Sequence, residues 1–281
     1  MIRKIFAKNF AAVPYLETSQ LMQSHPDGIT LSTEKPTVIA GPNGSGKSAL
    51  LTAMSKLTLS YQTGTSALDN NYLETLLEPA LWTRKRVGRD DVIEFMAGLV
   101  VDTDFAPAAY YRPGHVPGND EMVTAAMMRG YFNEAKMYGR LTRDRSSGQG
   151  CSALLKRVLD ILDGDVSSVQ SYILQNWSYG LKPVDLTKKR QYIADHDRFV
   201  EEMKKRAALP ETVLPMLLLD EPEQSLDARS ELEFWRKVAA VDTSKVQVVV
   251  ATHSLYPLLH PERFHIVEAT PGYAESVRAL L

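Results

Sequence analysis

Eight consecutive residues, Gly41-Pro42-Asn43-Gly44-Ser45-Gly46-Lys47-Ser48, fit the pattern G-x-x-x-x-G-K-[ST]. Glycines let such a loop wrap with successive N–H groups turned inward, a geometry that cradles phosphate. A helix opening at the end of the loop, through Ala49, would add the partial positive charge of its N-terminus. In this pattern the lysine, Lys47, reaches the β and γ phosphates and the hydroxyl of Ser48 ligates Mg²⁺. A second run, Met216-Leu217-Leu218-Leu219-Asp220-Glu221-Pro222, reads as an apolar strand ending in two carboxylates. Asp220 is then set to hold Mg²⁺ through water, and Glu221 to polarise an attacking water. Taken alone, the two acids would also suit the first turn of a helix. His253, in Thr252-His253-Ser254, stands one helix and one strand beyond Asp220, at what reads as a strand end.

The elements needed to position these groups are visible in the hydrophobic pattern. Thr37–Ala40 is a buried-type strand running into the glycine loop, and from Ser48 onward Leu50, Leu51, Met54 and Leu57 share one helical face. Val213–Leu219 and Val246–Ala251 read as strands, with Leu226–Val241 as the helix between them and Phe264–Val267 as a last short strand. Strand, helix, strand alternation predicts a parallel α/β sheet. Ile2–Phe10 and Ile29–Leu31 look like early strands of that same sheet. Val92–Asp102 is strand-like and is followed by the aromatic AAYYRPG. Helices are expected over Leu68–Leu77, Glu121–Tyr138, Ser152–Leu162, Val166–Trp177 and Lys188–Ala208, so the middle of the chain reads as mostly helical.

Length and composition bound what these elements can build. At 281 residues the chain is near the upper size of one hydrophobic core, so one large domain is expected. A hydrophobic share of 44% excludes a disordered or low-complexity chain. Thirty-two Lys and Arg against 34 Asp and Glu leave a net charge of −2, so no global field recruits nucleic acid or an anionic membrane. The lone cysteine, Cys151, cannot build a disulfide framework within one chain; together with the lack of an apolar leader or a 20-residue apolar span, it predicts a cytoplasmic chain with no membrane segment.

Taken together, GPNGSGKS, LLLDEP, Ser225-Leu226-Asp227 and Thr252-His253-Ser254 resemble the Walker A, Walker B, D-loop and switch histidine of the ATP-binding cassette (ABC) ATPases. The resemblance implies a P-loop NTPase fold: a central, mostly parallel sheet, antiparallel N-terminal strands, and a helical subdomain. It also implies ATP and Mg²⁺ as ligands. Lobe I would cover about 1–62 and 211–281, and the helical signature region about 63–162. The family's signature loop is matched by Arg145-Ser146-Ser147-Gly148-Gln149-Gly150 ahead of a helix, where a hydroxyl, a glycine backbone and a helix N-terminus can cap an anion. Such a loop serves ATP on a partner subunit, so the resemblance implies an ATP-dependent homodimer in which Ser146, Ser147, Gly148 and Gln149, with Asp227, complete the nucleotide site.

Two departures from transport cassettes matter. Signature and Walker B are far more than one helix apart, so about 163–210 reads as an insertion. The Q-loop glutamine, expected near the end of the Val92–Asp102 strand, has no clear candidate, because Gln62 follows Lys47 too soon. The Ser-Ser-Gly-Gln form and the opening IRKIFAKNF look more like the soluble RecF, SMC and OLD branch. That branch implies a role in DNA maintenance or phage defence. With no coiled-coil heptads, no Cys pair and only a short segment after His253, the output is expected in a separate effector such as a nuclease. Two alternatives stay open: an ATP-dependent switch or scaffold with slow turnover, and the nucleotide-binding subunit of a membrane transporter.

Several other features have a bland meaning beside a functional one. Arg84-Lys85-Arg86 with Arg89, Arg140 with Arg143 and Arg145, Lys188-Lys189-Arg190 and Lys204-Lys205-Arg206 could bind nucleic-acid phosphates, but a solvated helix face is the commoner meaning of such clusters. Arg143 or Arg145 could instead face ATP. Asp195-His196-Asp197 carries metal-capable groups, yet adjacency on a helix spreads them around it. Phe10 and Tyr15 are the aromatic candidates for stacking on adenine.

Overall fold

The computed structural model describes residues 1–7, 16, 18–57, 61–62, 99–103, 108–113, 155, 159–164 and 216–281. In chain order these form β1 (Ile2–Ala7), α1 (Gln20–Gln23), β2 (Ile29–Thr30), β3 (Thr37–Ala40), α2 (Lys47–Leu57), β4 (Tyr61–Gln62), β5 (Leu99–Thr103), β6 (Ala108–Tyr111), β7 (Met216–Asp220), α3 (Ala228–Ala239), β8 (Gln247–Thr252), α4 (Tyr256–Leu259), β9 (His265–Glu268) and α5 (Tyr273–Arg278), with 3₁₀ turns at Pro222–Ser225 and Pro261–Arg263.

Six strands make one sheet in the order β4-β6-β7-β8-β3-β9, and every described pairing in it is parallel. All residues of β3, β6, β7 and β8 are buried. Such unbroken burial is what a parallel sheet covered on both faces requires, and it explains why TVIA, MLLLD and QVVVAT lack polar alternation. One face, with Ile39, Tyr110, Leu218 and Val249, packs on Leu50, Leu51 and Met54 of α2. The other, with Val38, Tyr111, Leu219 and Val250, packs on Phe234, Trp235 and Val238 of α3, on Leu258 of α4, and on Leu155, Ile161 and Leu162. The chain is thus an α/β structure with helices on both faces of a parallel sheet.

The two earliest strands do not share that sheet with β3. β1 and β2 join β5 in a separate antiparallel sheet of order β2-β1-β5. The reason lies in their patterning. Ile2 and Ile5 are buried while Arg3 is exposed, and Ile29 is buried while Thr30 is exposed. Strands with one dry and one wet face suit an antiparallel sheet, whereas β3 is dry on both faces. The strand read over Val92–Asp102 is described over Leu99–Thr103 and belongs to this antiparallel sheet. The strand that runs beside β7 is instead β6, within the AAYY segment.

Other boundaries moved by a few residues, as at α3, β8 and β9. The short helices α1, α4 and α5 had no periodic signal to find. The helices expected over Leu68–Leu77, Glu121–Tyr138, Val166–Trp177 and Lys188–Ala208 lie outside the described residues, and so do Gly148 and the rest of the signature segment. Among the described residues no helix is long and apolar enough to cross a membrane.

Candidate active site

The site is assembled at the carboxyl ends of β3, β6, β7 and β8, the edge at which open parallel sheets present their ligand-binding crevice. β3 delivers the loop Gly41–Ser48, and α2 starts inside it at Lys47. The loop bends through Gly44 at φ 76° and Gly46 at φ 101°. At Gly46 no other residue would fit, because a Cβ there would lie 2.5 Å from Cβ of Ser19. The loop is braced from outside: Leu21 N–H donates to the Ser45 carbonyl at 3.0 Å, and Ser19 caps α1 by accepting from Met22 N–H. Pro42, Asn43 and Ala49 lie in the loop and first helical turn as expected.

Lys47 is buried, 4% exposed. Its ammonium donates to the carbonyls of Gly41 at 2.9 Å and Pro42 at 3.0 Å, and it lies 3.1 Å from Nε2 of His253. Burial pulls its pKa below the ordinary lysine value, against the attraction of Glu221, Asp220 and Glu223. Ser48 Oγ donates to Oδ1 of Asp220 at 2.8 Å, which joins the glycine loop directly to the end of β7. Asp220 is fully buried, and burial raises its carboxyl pKa, opposed by Ser48, Arg112 and Tyr110. Its second oxygen, Oδ2, accepts from the Tyr110 hydroxyl at 3.1 Å and lies 3.6 Å from Nε of Arg112.

Glu221 holds a left-handed backbone, φ 49° and ψ 50°, the one non-glycine with positive φ among the described residues. Such a residue costs on the order of 1–3 kcal/mol, and the fold retains it by fixing Glu221 N–H on the Ala251 carbonyl at 2.8 Å. The kink sends the carboxylate toward β8, where Oε1 is 3.3 Å from Nε2 of His253 and Oε2 accepts from the Gln224 amide. His253 is held below the ordinary histidine pKa, first by burial and then by the charge of Lys47, with Glu221 pulling the other way.

Of the residues named from sequence, Lys47, Ser48, Asp220, Glu221 and His253 come together here. Asp227 does not join them by any described contact. It caps α3, accepting from the N–H groups of Arg229 and Ser230, both at 3.0 Å. Arg145, Ser146, Ser147, Gly148 and Gln149 lie outside the described residues, as do Phe10 and Tyr15.

Four residues of the site were missed. Tyr110 and Arg112 stood in a segment noted for its aromatics without an element being assigned to it. A four-residue apolar run halted by Arg-Pro-Gly was the available signal. Glu223, the third acid of DEPE, accepts from the Thr252 hydroxyl and from His253 N–H at 3.0 Å, so it sets the backbone on which the histidine stands. Its other oxygen, Oε2, is buried with no hydrogen-bond partner among the described residues, and burial raises its pKa. Ser19 was invisible because its contact with Gly46 is made only in the fold.

The donor set can be weighed for a cation. One hydroxyl and one carboxylate, 2.8 Å apart, form the sparse oxygen set with which Mg²⁺ is held when phosphates and water supply the remaining ligands. Among the described residues no group of three or more His, Cys, Asp or Glu converges as a transition-metal site would require. The geometry therefore defines an α/β protein whose glycine loop is joined through the Ser48 hydroxyl to the carboxylate of Asp220 at the end of β7. Compared with protein-family models and with curated proteins, the chain matches none.

Proposed function

We propose that this chain is a Mg²⁺-dependent P-loop ATPase of the ABC type, from the soluble RecF, SMC and OLD-like branch. The observation that carries the reading is the meeting of Lys47, Ser48, Asp220, Glu221 and His253, drawn from three strand ends, with Ser48 hydrogen-bonded to Asp220. In this reading the amides of Gly41–Ser48 and the ammonium of Lys47 bind the phosphates. Ser48 and Asp220 hold Mg²⁺, which when bound neutralises charge on the phosphate oxygens. Glu221 is the general base for water, and His253 faces the terminal phosphate. Ser146, Ser147, Gly148 and Gln149, with Asp227, belong to the half-site completed by a second copy. The dimer so formed would transmit ATP binding to a separate effector in DNA maintenance or phage defence.

The test is nucleotide binding, phosphate release and mass in solution for the chain, Lys47→Ala and Glu221→Gln. Lys47→Ala is expected to lose binding. Glu221→Gln is expected to bind ATP with turnover reduced by about 10²-fold or more, and to dimerise with Mg-ATP. Undiminished turnover in Lys47→Ala would sink the ATPase assignment, and a Glu221→Gln monomer at saturating Mg-ATP would sink the dimer.

A further inference from the structure

Among the described residues, Arg112 is the one cation in the site that the proposed chemistry leaves without a task. β6 and β7 run parallel with Tyr110 opposite Leu218 and Tyr111 opposite Leu219, so the next position, 112, falls beside Asp220 at the strand ends. Side chains alternate along a strand, which puts Tyr110 and position 112 on the same face as Leu218 and Asp220, the face covered by α2. Tyr110 and Arg112 both address Oδ2 of Asp220, while Ser48 holds Oδ1. Their characters differ. Tyr110 is 3% exposed and its hydroxyl donates at 3.1 Å. The Arg112 side chain is 41% exposed, and its Nε stands 3.6 Å from Oδ2, an ion pair without a hydrogen bond. The tyrosine is a fixed strut, and the arginine is a loosely held charge with room to move.

Sheet order places Lys47 and Arg112 on opposite sides of the acidic pair. Lys47 meets it from the β8–β3 side, through His253, and Arg112 from the β6 side. A divalent cation held by Ser48 and Asp220 would repel a guanidinium sharing the same carboxylate. A phosphate bound to that cation would offer the guanidinium an anion suited to its fork of N–H donors. The geometry points to Arg112 as an exchange residue that gives up Asp220 when Mg²⁺ and a nucleoside triphosphate bind and takes the terminal phosphate in return. This rests on the ATPase reading above. It makes the site selective for a triphosphate over a diphosphate by means of a residue of the same chain.

The experiment is calorimetric titration of the full chain, Arg112→Ala and Arg112→Lys with ADP and with a non-hydrolysable ATP analogue, in Mg²⁺, with melting temperatures recorded alongside. Arg112→Ala is expected to weaken the triphosphate analogue by about 10- to 100-fold, the range for one charge-assisted hydrogen bond, while ADP changes by less than about twofold. Arg112→Lys keeps the charge without the fork and should fall between the two. Equal weakening of both nucleotides would overturn the exchange and leave Arg112 as a structural counter-ion; unchanged affinities would overturn it outright. Should Arg112→Ala melt much lower than the parent, the same triphosphate-to-diphosphate ratio is read from Arg112→Lys. Failure of the unmodified chain to bind either nucleotide would instead sink the ATPase reading, and the arginine's role with it.

Discussion

His253 offers one nitrogen to two competing neighbours. Nε2 lies 3.1 Å from the Lys47 ammonium and 3.3 Å from Oε1 of Glu221. A neutral ring can accept from Lys47 only with its proton on Nδ1, and can donate to Glu221 only with the proton on Nε2. Burial and the lysine charge hold its pKa below 6.5, so the folded chain takes up this proton less readily than the unfolded one. As pH falls through about 6.5 the unfolded state gains the proton first, and stability falls with acidification. Asp220 and Glu223 act with the opposite sign: burial raises their pKa values, so their ionisation penalises the fold as pH rises past the ordinary carboxylate range. The histidine contribution is therefore isolated by difference. Between about pH 7.5 and 5.5 the melting temperature of the parent should drop more than that of His253→Gln. Parallel pH dependences for the two would show that folding does not lower the imidazole's pKa, and would overturn this reading of His253.

At the scale of elements, the glycine loop depends on what braces it. Gly44 and Gly46 both have positive φ, but a Cβ on Gly44 meets nothing within 4 Å, whereas one on Gly46 meets Ser19 at 2.5 Å. Gly44→Ala should cost only the left-handed backbone penalty, about 1–2 kcal/mol. Gly46→Ala adds a collision that must push α1 away from the loop and break the Leu21–Ser45 hydrogen bond. Thermal unfolding is expected to rank the parent above Gly44→Ala and Gly44→Ala above Gly46→Ala. A Gly46→Ala chain as stable as Gly44→Ala would mean that α1 yields freely and does not brace the loop.

At the scale of the whole molecule, the side chain of Gln247 ties the two sheets together at a buried seam, and His265 Nε2 of β9 lies 3.1 Å from the Thr30 carbonyl of β2. Gln247 opens β8 and is 2% exposed. Its Oε1 accepts from Ile2 N–H at 2.8 Å, and its Nε2 donates to the carbonyls of Ile2 at 2.7 Å and Ser32 at 3.1 Å. An amide is the side chain that can satisfy a donor and acceptors together at this seam. Gln247→Leu strands the buried N–H and carbonyl of Ile2 at about 1–3 kcal/mol each, so a loss of about 2–6 kcal/mol is expected from urea unfolding. An unchanged midpoint would mean that water satisfies those groups and that the seam holds without the Gln247 amide.

What was legible from the chain alone, and what was not, divides along the same lines. The glycine loop, the Asp220–Glu221 pair, His253, the strands β3, β7 and β8 and the helices α2 and α3 are written in short runs, because loop chemistry and hydrophobic period act over neighbouring residues. Their local character made the α/β class and five members of the site readable without coordinates. Strand order is different. β3 enters between β8 and β9, and β6 lands beside β7, by pairings that join distant parts of the chain. Buried parallel strands such as TVIA, AAYY and QVVVAT carry little in their composition to say which neighbour each will take. Placing Tyr110 and Arg112 against Asp220, Ser19 against Gly46 and Gln247 against Ile2 was therefore decided only by the tertiary structure, since each contact exists only after backbone pairing has fixed a register between segments far apart in sequence.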